Sequence, residues 1–119
     1  MIKILLVEKN LILSNTLKNL FNKDKQLDVV GICRHGNEII EFLNANPVDI
    51  IVIDPNQTNG YVITVQVKKE FPKMIIIGFS DDGLYSKERM LEYGASSYLS
   101  KYDTSLNELM TEIKKYFDG

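Results

Sequence analysis

The chain has no tryptophan, one cysteine, one histidine and three prolines among its 119 residues, and each scarcity excludes something. A lone cysteine, Cys33, cannot close a disulfide within the chain, so the fold must rest on its core. At the end of an apolar run it reads as a small buried hydrophobe, which fits a reducing compartment. A lone histidine, His35, leaves a His-based metal cluster or a Ser-His-Asp triad little to draw on, and it reads as a surface-loop residue. Neither sign of charge dominates: 14 Lys and Arg stand against 16 Asp and Glu, a formal net charge of −2. No basic field of the kind that holds nucleic acid by its phosphates is present, so direct contact with nucleic acid is not expected. No stretch approaches the roughly 20 apolar residues of a membrane span. The N-terminus has a single lysine before Ile4–Val7 and then charge again, unlike a signal peptide. The expectation is a cytoplasmic protein. Repeats, linkers and low-complexity segments are absent as well, and 45% hydrophobic residues suffice for one core, so a single domain over 1–119 is expected.

What is present is a set of short apolar runs separated by helical patterns. The chain is organised around residues 49–54, a β-branched run that ends in Asp54 and is followed at once by Pro55 and a polar turn up to Gly60. A nearly continuous apolar run bounded by turn residues reads as a buried parallel strand. Residues 2–7, 28–32, 74–79 and 97–99 read as further strands. Between them Leu13, Leu17, Leu20 and Phe21 recur at helical spacing, as do Ile39, Ile40 and Leu43 in a helix from about residue 37 that stops before Pro47. Residues 84–93 read as a helix stopped by Gly94. In the last helix Ser105 and Glu108 make a capping box, and Leu106, Leu109, Met110, Ile113 and Phe117 form one apolar face. Residues 61–71 are ambiguous, since Tyr61, Ile63, Val65 and Val67 alternate as in a strand; a helix is preferred because helices separate the other strands. The pattern predicts an α/β fold, (βα)5, with a doubly wound parallel sheet.

Four of these strands end in polar residues: Glu8 and Lys9, Asp54, Ser80, and Ser100 and Lys101. Parallel strands would gather them along one edge, where open α/β sheets meet their ligands. A carboxylate, a hydroxyl and an ammonium together can serve an anionic group, as nucleophile, hydrogen-bond donor and counter-charge. Plainer roles remain open, with Asp54 and Ser80 as turn formers, Lys101 as a solvated charge and Tyr98 as a core aromatic.

The order of apolar strand and acid (Val7-Glu8), apolar strand and Asp (Ile53-Asp54), apolar strand and Ser (Phe79-Ser80), then Gly94 to Lys101, resembles the receiver domains of bacterial two-component response regulators over essentially the whole chain. Val29, Val30, Gly31, Gly36 and Glu38 resemble the branch whose outputs are often helix-turn-helix DNA-binding domains. The resemblance implies a flavodoxin-like fold with strand order 2-1-3-4-5, and a switch, not an enzyme. It implies Asp54 as acceptor of a phosphoryl group from a histidine kinase or phosphotransfer protein, Lys101 as its contact, and Ser80 and Tyr98 as switch residues. It implies Mg²⁺ as cofactor, on Glu8, Asp54 and Asn56. It also implies a partner face on the fourth helix, fifth strand and fifth helix, for a second copy or an output domain. Met90, Tyr93, Tyr102 and Glu108 are candidate contacts there.

Departures from the family pattern lie around the same site. Lys9 stands where the family has a second acid, and Gly60 arrives about two residues early. Asp81 replaces a small residue, and Tyr102 a common proline. An ammonium roughly 4 Å from Asp54 would interact by about 4 kcal/mol at an effective dielectric of about 20, so a Lys9 aimed into the site would attract Asp54 and oppose a metal. That favours the alternative of a pseudo-receiver, a protein-interaction module independent of phosphorylation. A flavin- or nucleotide-binding role is disfavoured, because residues 8–14 lack the glycines that let backbone approach phosphate.

Overall fold

Apolar side chains on both sides of a strand require cover on both sides, and this decides the architecture. In β1 (Ile2–Val7), Ile4 and Leu6 enter one buried cluster while Leu5 and Val7 enter another, following the two-residue period of a strand. β3 (Ile50–Ile53) divides in the same way, Ile50 and Val52 against Ile51 and Ile53. The computed structural model, which describes residues 1–81 and 84–118, joins these strands to β2 (Leu27–Cys33), β4 (Ile75–Ser80) and β5 (Ser97–Ser100). The result is a five-stranded sheet in the order β2-β1-β3-β4-β5, parallel at every pairing. α1 (Leu11–Asn22) and α5 (Leu106–Lys115) cover one face through Leu17, Phe21, Leu109 and Ile113. α2 (Ile39–Ala45), α3 (Gly60–Glu70) and α4 (Leu84–Tyr93) cover the other through Ile39, Leu43, Ile63, Val67 and Met90. The predicted doubly wound (βα)5 fold and its strand order are observed.

The ambiguous segment is the helix α3. Its alternation was misleading because Tyr61, Ile63 and Val67 are buried whereas Val65 lies on the outer side beside Val62, which is 70% exposed. Parallel neighbours such as β3 and β4 need a crossover between them, and that requirement overrides the local pattern. α2 begins two residues later than predicted. Residues 36–38 form a 3-10 turn instead, in which the Glu38 carboxylate folds back to accept from the amides of Arg34 and His35. Phe117, predicted on the apolar face of the last helix, lies beyond the end of α5 and is 37% exposed. β4 extends through Ser80, and Asp82 and Gly83 of the predicted turn after it lie outside the described residues. The predicted capping box is present: Ser105 Oγ accepts from the Glu108 amide, and Glu108 Oε1 from the Ser105 amide. Gly94 ends α4 with φ +118°, a conformation that side chains rarely adopt.

Gly60 shows why the loop after Asp54 is tight. A Cβ added there would lie 2.6 Å from Ile53 Cδ1 and 2.9 Å from Pro55 Cα. Gly60→Ala is expected to cost about 1–3 kcal/mol, the usual penalty of forcing an extra methyl into packed surroundings. Urea denaturation measures this, and an unchanged midpoint would mean that the loop yields freely.

Candidate functional site

The sheet ladder continues one residue past the ends of its strands, and this fixes the polar residues in register. The Glu8 amide donates to the Cys33 carbonyl (3.0 Å), the Asp54 amide to the Val7 carbonyl (3.0 Å) and the Lys101 amide to the Ser80 carbonyl (2.8 Å). Residues far apart in sequence are thereby brought to one edge. Lys101 Nζ lies 2.7 Å from Glu8 Oε1 and 2.7 Å from Asp54 Oδ2. The remaining carboxylate oxygens are also occupied. Glu8 Oε2 accepts from the Asn10 amide (2.9 Å), and Asp54 Oδ1 accepts from the amides of Asn56 (3.0 Å) and Gln57 (3.4 Å). Glu8 is 4% exposed, Asp54 1% and Ser80 not at all. Burial alone would lower the lysine's proton affinity, but its hydrogen bonds to Asp54 and Glu8 outweigh this and hold the Lys101 ammonium above the ordinary lysine value. It is charged at any physiological pH.

The loop that follows Asp54 is held by side chains. Thr58, itself buried, donates its hydroxyl to the Asp54 carbonyl (2.6 Å), and the Gly60 amide closes on the Pro55 carbonyl (2.9 Å). Asn59 takes up the left-handed conformation (φ 58°) that asparagine tolerates better than most residues. Asn56 Nδ2 donates to Ser80 Oγ (2.8 Å), and Asn56 Oδ1 accepts from the Tyr61 hydroxyl (2.7 Å). Thr58 and Tyr61 were not singled out in the sequence. The only pointer was their place beside Asp54 and Gly60, and the strand-like alternation drew Tyr61 into the core pattern.

Lys9 departs from expectation. Its side chain is exposed and, among the described residues, makes no ion pair; only its carbonyl is engaged, by Arg34 Nη2. It does not neutralise Asp54. The inner cluster is therefore two carboxylates and one ammonium, formally −1, and not the balance near zero that an inward Lys9 would produce. Tyr98 is buried, its ring packed where a Cβ on Gly78 would lie, 2.6 Å from Tyr98 Cδ2. Of the candidate partner contacts, Met90 is fully buried and cannot present a surface; Tyr93 is half-buried, Glu108 serves its cap, and Tyr102 is 79% exposed. Cys33 is buried and its thiol is pushed up to about 11, first by burial and then by the Glu38 charge, so it is inert. His35 and Asp81 are exposed.

The donor set bears on a metal. No group of three His, Cys, Asp or Glu converges among the described residues. Mg²⁺, however, is commonly held by one or two carboxylates together with waters and phosphate oxygens. Glu8 and Asp54 meet that minimum, and the net negative charge of the cluster suits a cation. The Asn56 side-chain amide is spent on Ser80 and Tyr61, which leaves its backbone carbonyl as that residue's donor.

The structure is thus a doubly wound parallel sheet whose carboxyl edge holds a buried acid-lysine cluster. The chain belongs to the response regulator receiver domain family, whose sequence model matches residues 4–114. A protein-glutamate methylesterase/protein-glutamine glutaminase of Pyrococcus horikoshii is 29% identical over 95% of this chain and 32% of its own length. Response regulator protein VraR of Staphylococcus saprophyticus is 27% identical over 99% of this chain and 57% of its own. The chain thus spans about a third of the first and somewhat over half of the second. In fold it is similar to the response regulator domain of Thermotoga maritima CheB, with a TM-score of 0.87 at 22% identity over 100% of this chain and 98% of that one.

Proposed function

We propose that this chain is a phosphoacceptor switch in which Asp54 takes a phosphoryl group from a histidine kinase or phosphotransfer protein. The observation that carries this reading is the Lys101 ammonium, 2.7 Å from both Asp54 and Glu8 at the buried carboxyl edge. In the reaction an Asp54 oxygen attacks phosphorus, the O–P bond forms, and the P–N bond of the phosphohistidine breaks with its electron pair left on the imidazole nitrogen. Lys101 stays protonated throughout and balances charge on the phosphoryl oxygens. Ser80 supplies a hydroxyl proton to one of them, since its oxygen accepts from Asn56 and its own hydrogen is not used there. Mg²⁺ on Glu8, Asp54 and the Asn56 carbonyl would supply charge neutralisation. Tyr98 follows Ser80, and the faces of α4, β5 and α5, with Tyr102 outermost, meet a second copy or an output domain. The domain spans 1–119 and works in the cytoplasm. No helix among the described residues is long and apolar enough to cross a membrane. The pseudo-receiver alternative depended on a Lys9 aimed at Asp54, and the exposed Lys9 removes that support.

The test is incubation with acetyl phosphate and Mg²⁺. A gain of one phosphoryl group by intact mass, located on Asp54, is expected; no gain at any Mg²⁺ concentration would overturn the reading. Lys9→Asp changes the charge near the same cation by two units, acting through space because residue 9 faces solvent. Its Mg²⁺ affinity is expected to rise about tenfold, equivalent to about 1.4 kcal/mol, by amide-shift titration. An unchanged affinity would mean that residue 9 contributes nothing to the site.

A further inference from the structure

Three parts of the site meet on one residue. Asn56 touches Asp54 through its backbone amide, Ser80 through its side-chain nitrogen and Tyr61 through its side-chain oxygen. The last two contacts are directional: only with Oδ1 turned to the Tyr61 hydroxyl can Nδ2 face Ser80. Tyr61 is buried, and its ring meets two residues of α4. The Arg89 guanidinium carbon lies 3.8 Å from the ring centroid, and the Tyr93 ring meets it edge-on with centroids 6.5 Å apart. Arg89 also reaches the Tyr85 and Tyr93 rings, at 5.5 and 5.8 Å. A hydrogen-bonded and stacked path therefore runs from Ser80 through Asn56 and Tyr61 to Arg89. It ends at a groove of about 490 Å³ between α3 and α4 that includes Val65 and Tyr93.

We propose that Tyr61 is a positioning residue that holds the Asn56 amide against Ser80 and carries the state of Asp54 to Arg89 on α4. This route is separate from the one through Tyr98, and it rests on Asp54 being the phosphoacceptor. Turning the Ser80 hydroxyl toward a phosphoryl group changes its contact with Asn56 Nδ2. The amide is planar, so a shift at its nitrogen moves its oxygen, and the Tyr61 hydroxyl follows or loses its acceptor. Arg89, stacked on that ring, registers the change.

Beryllofluoride with Mg²⁺ serves as the probe, followed by NMR of the Asn56 and Gln57 amides and the Arg89 Nε–H. In wild type all three should shift. In Tyr61→Phe, which keeps the ring and its stack but lacks the hydroxyl, the Arg89 shift should fall at least threefold relative to the shifts of the two amides. Asn56→Ala, read against the Gln57 amide, cuts the path at its other link and should give the same loss. A Tyr61 that only fills space would leave the ratio unchanged in Tyr61→Phe, and that result overturns the proposal. Responding amides with a silent Arg89 in wild type also overturn it, while leaving the phosphoacceptor reading intact. If the amides themselves do not respond, both fail.

Discussion

Replacing Lys101 with methionine is expected to destabilise the domain by about 2–4 kcal/mol, more than any surface substitution. Breaking a buried ion pair by removing one partner typically costs about 3–5 kcal/mol, because the charge left behind loses both water and counter-ion. Here two carboxylates are left, Glu8 and Asp54, both almost fully buried; the lower figure allows for the Lys101 side chain being 16% exposed and still hydrated in part. The cost should arise from the stranded charges, not from lost packing. Adding Glu8→Gln and Asp54→Asn to Lys101→Met should therefore restore most of the stability, as measured by urea denaturation. A triple variant no more stable than the single would assign the loss to packing. The pH dependence follows from the raised proton affinity of Lys101. A base whose folded value lies above its unfolded value contributes fully below the unfolded value of 10.5 and loses that contribution as pH rises through the folded value. On the alkaline side the gap between wild type and Lys101→Met should stay constant from neutral pH upward and close only above 10.5.

Asp54→Asn is expected to reduce phosphoryl uptake to background with little change in stability. The amide has no anionic oxygen to attack phosphorus, and its carbonyl oxygen is a far weaker nucleophile. It keeps an acceptor for the Asn56 and Gln57 amides, and Lys101 keeps Glu8, so unfolding should shift by no more than about 1 kcal/mol. Glu8 is the nearest substitute carboxylate, but Lys101 and the Asn10 amide engage its two oxygens. Any residual modification would be found there by peptide mass spectrometry. Uptake in Asp54→Asn equal to wild type would remove Asp54 from the reaction.

Much of the site could be recognised before its geometry was known. Glu8, Asp54 and Lys101 each follow a strand and Ser80 ends one, and once the strands are parallel the ladder leaves such residues one place to go. Lys9 was as visible in the sequence as Glu8, yet its direction was not. Lys9 lies two residues past the end of β1, beyond the ladder that holds Glu8, where the two-residue period of a strand no longer sets which side chain turns inward. Tyr61 could not be assigned for a related reason. Its hydroxyl partner, Asn56, is nearby in the chain, but the group that Asn56 holds, Ser80, lies 24 residues beyond.

By itself the sequence determined the alternation of strands and helices, the two-sided burial of β1 and β3, the α5 capping box and the stop at Gly94. These depend on periodicity and turn chemistry within a few residues. Only the tertiary structure decided that residues 60–70 form a helix, that Met90 is core, that Lys9 faces solvent and that Asn56 bridges Ser80 and Tyr61. Each of those outcomes is set by contacts between elements distant in the chain, where packing and charge pairing outweigh local preference.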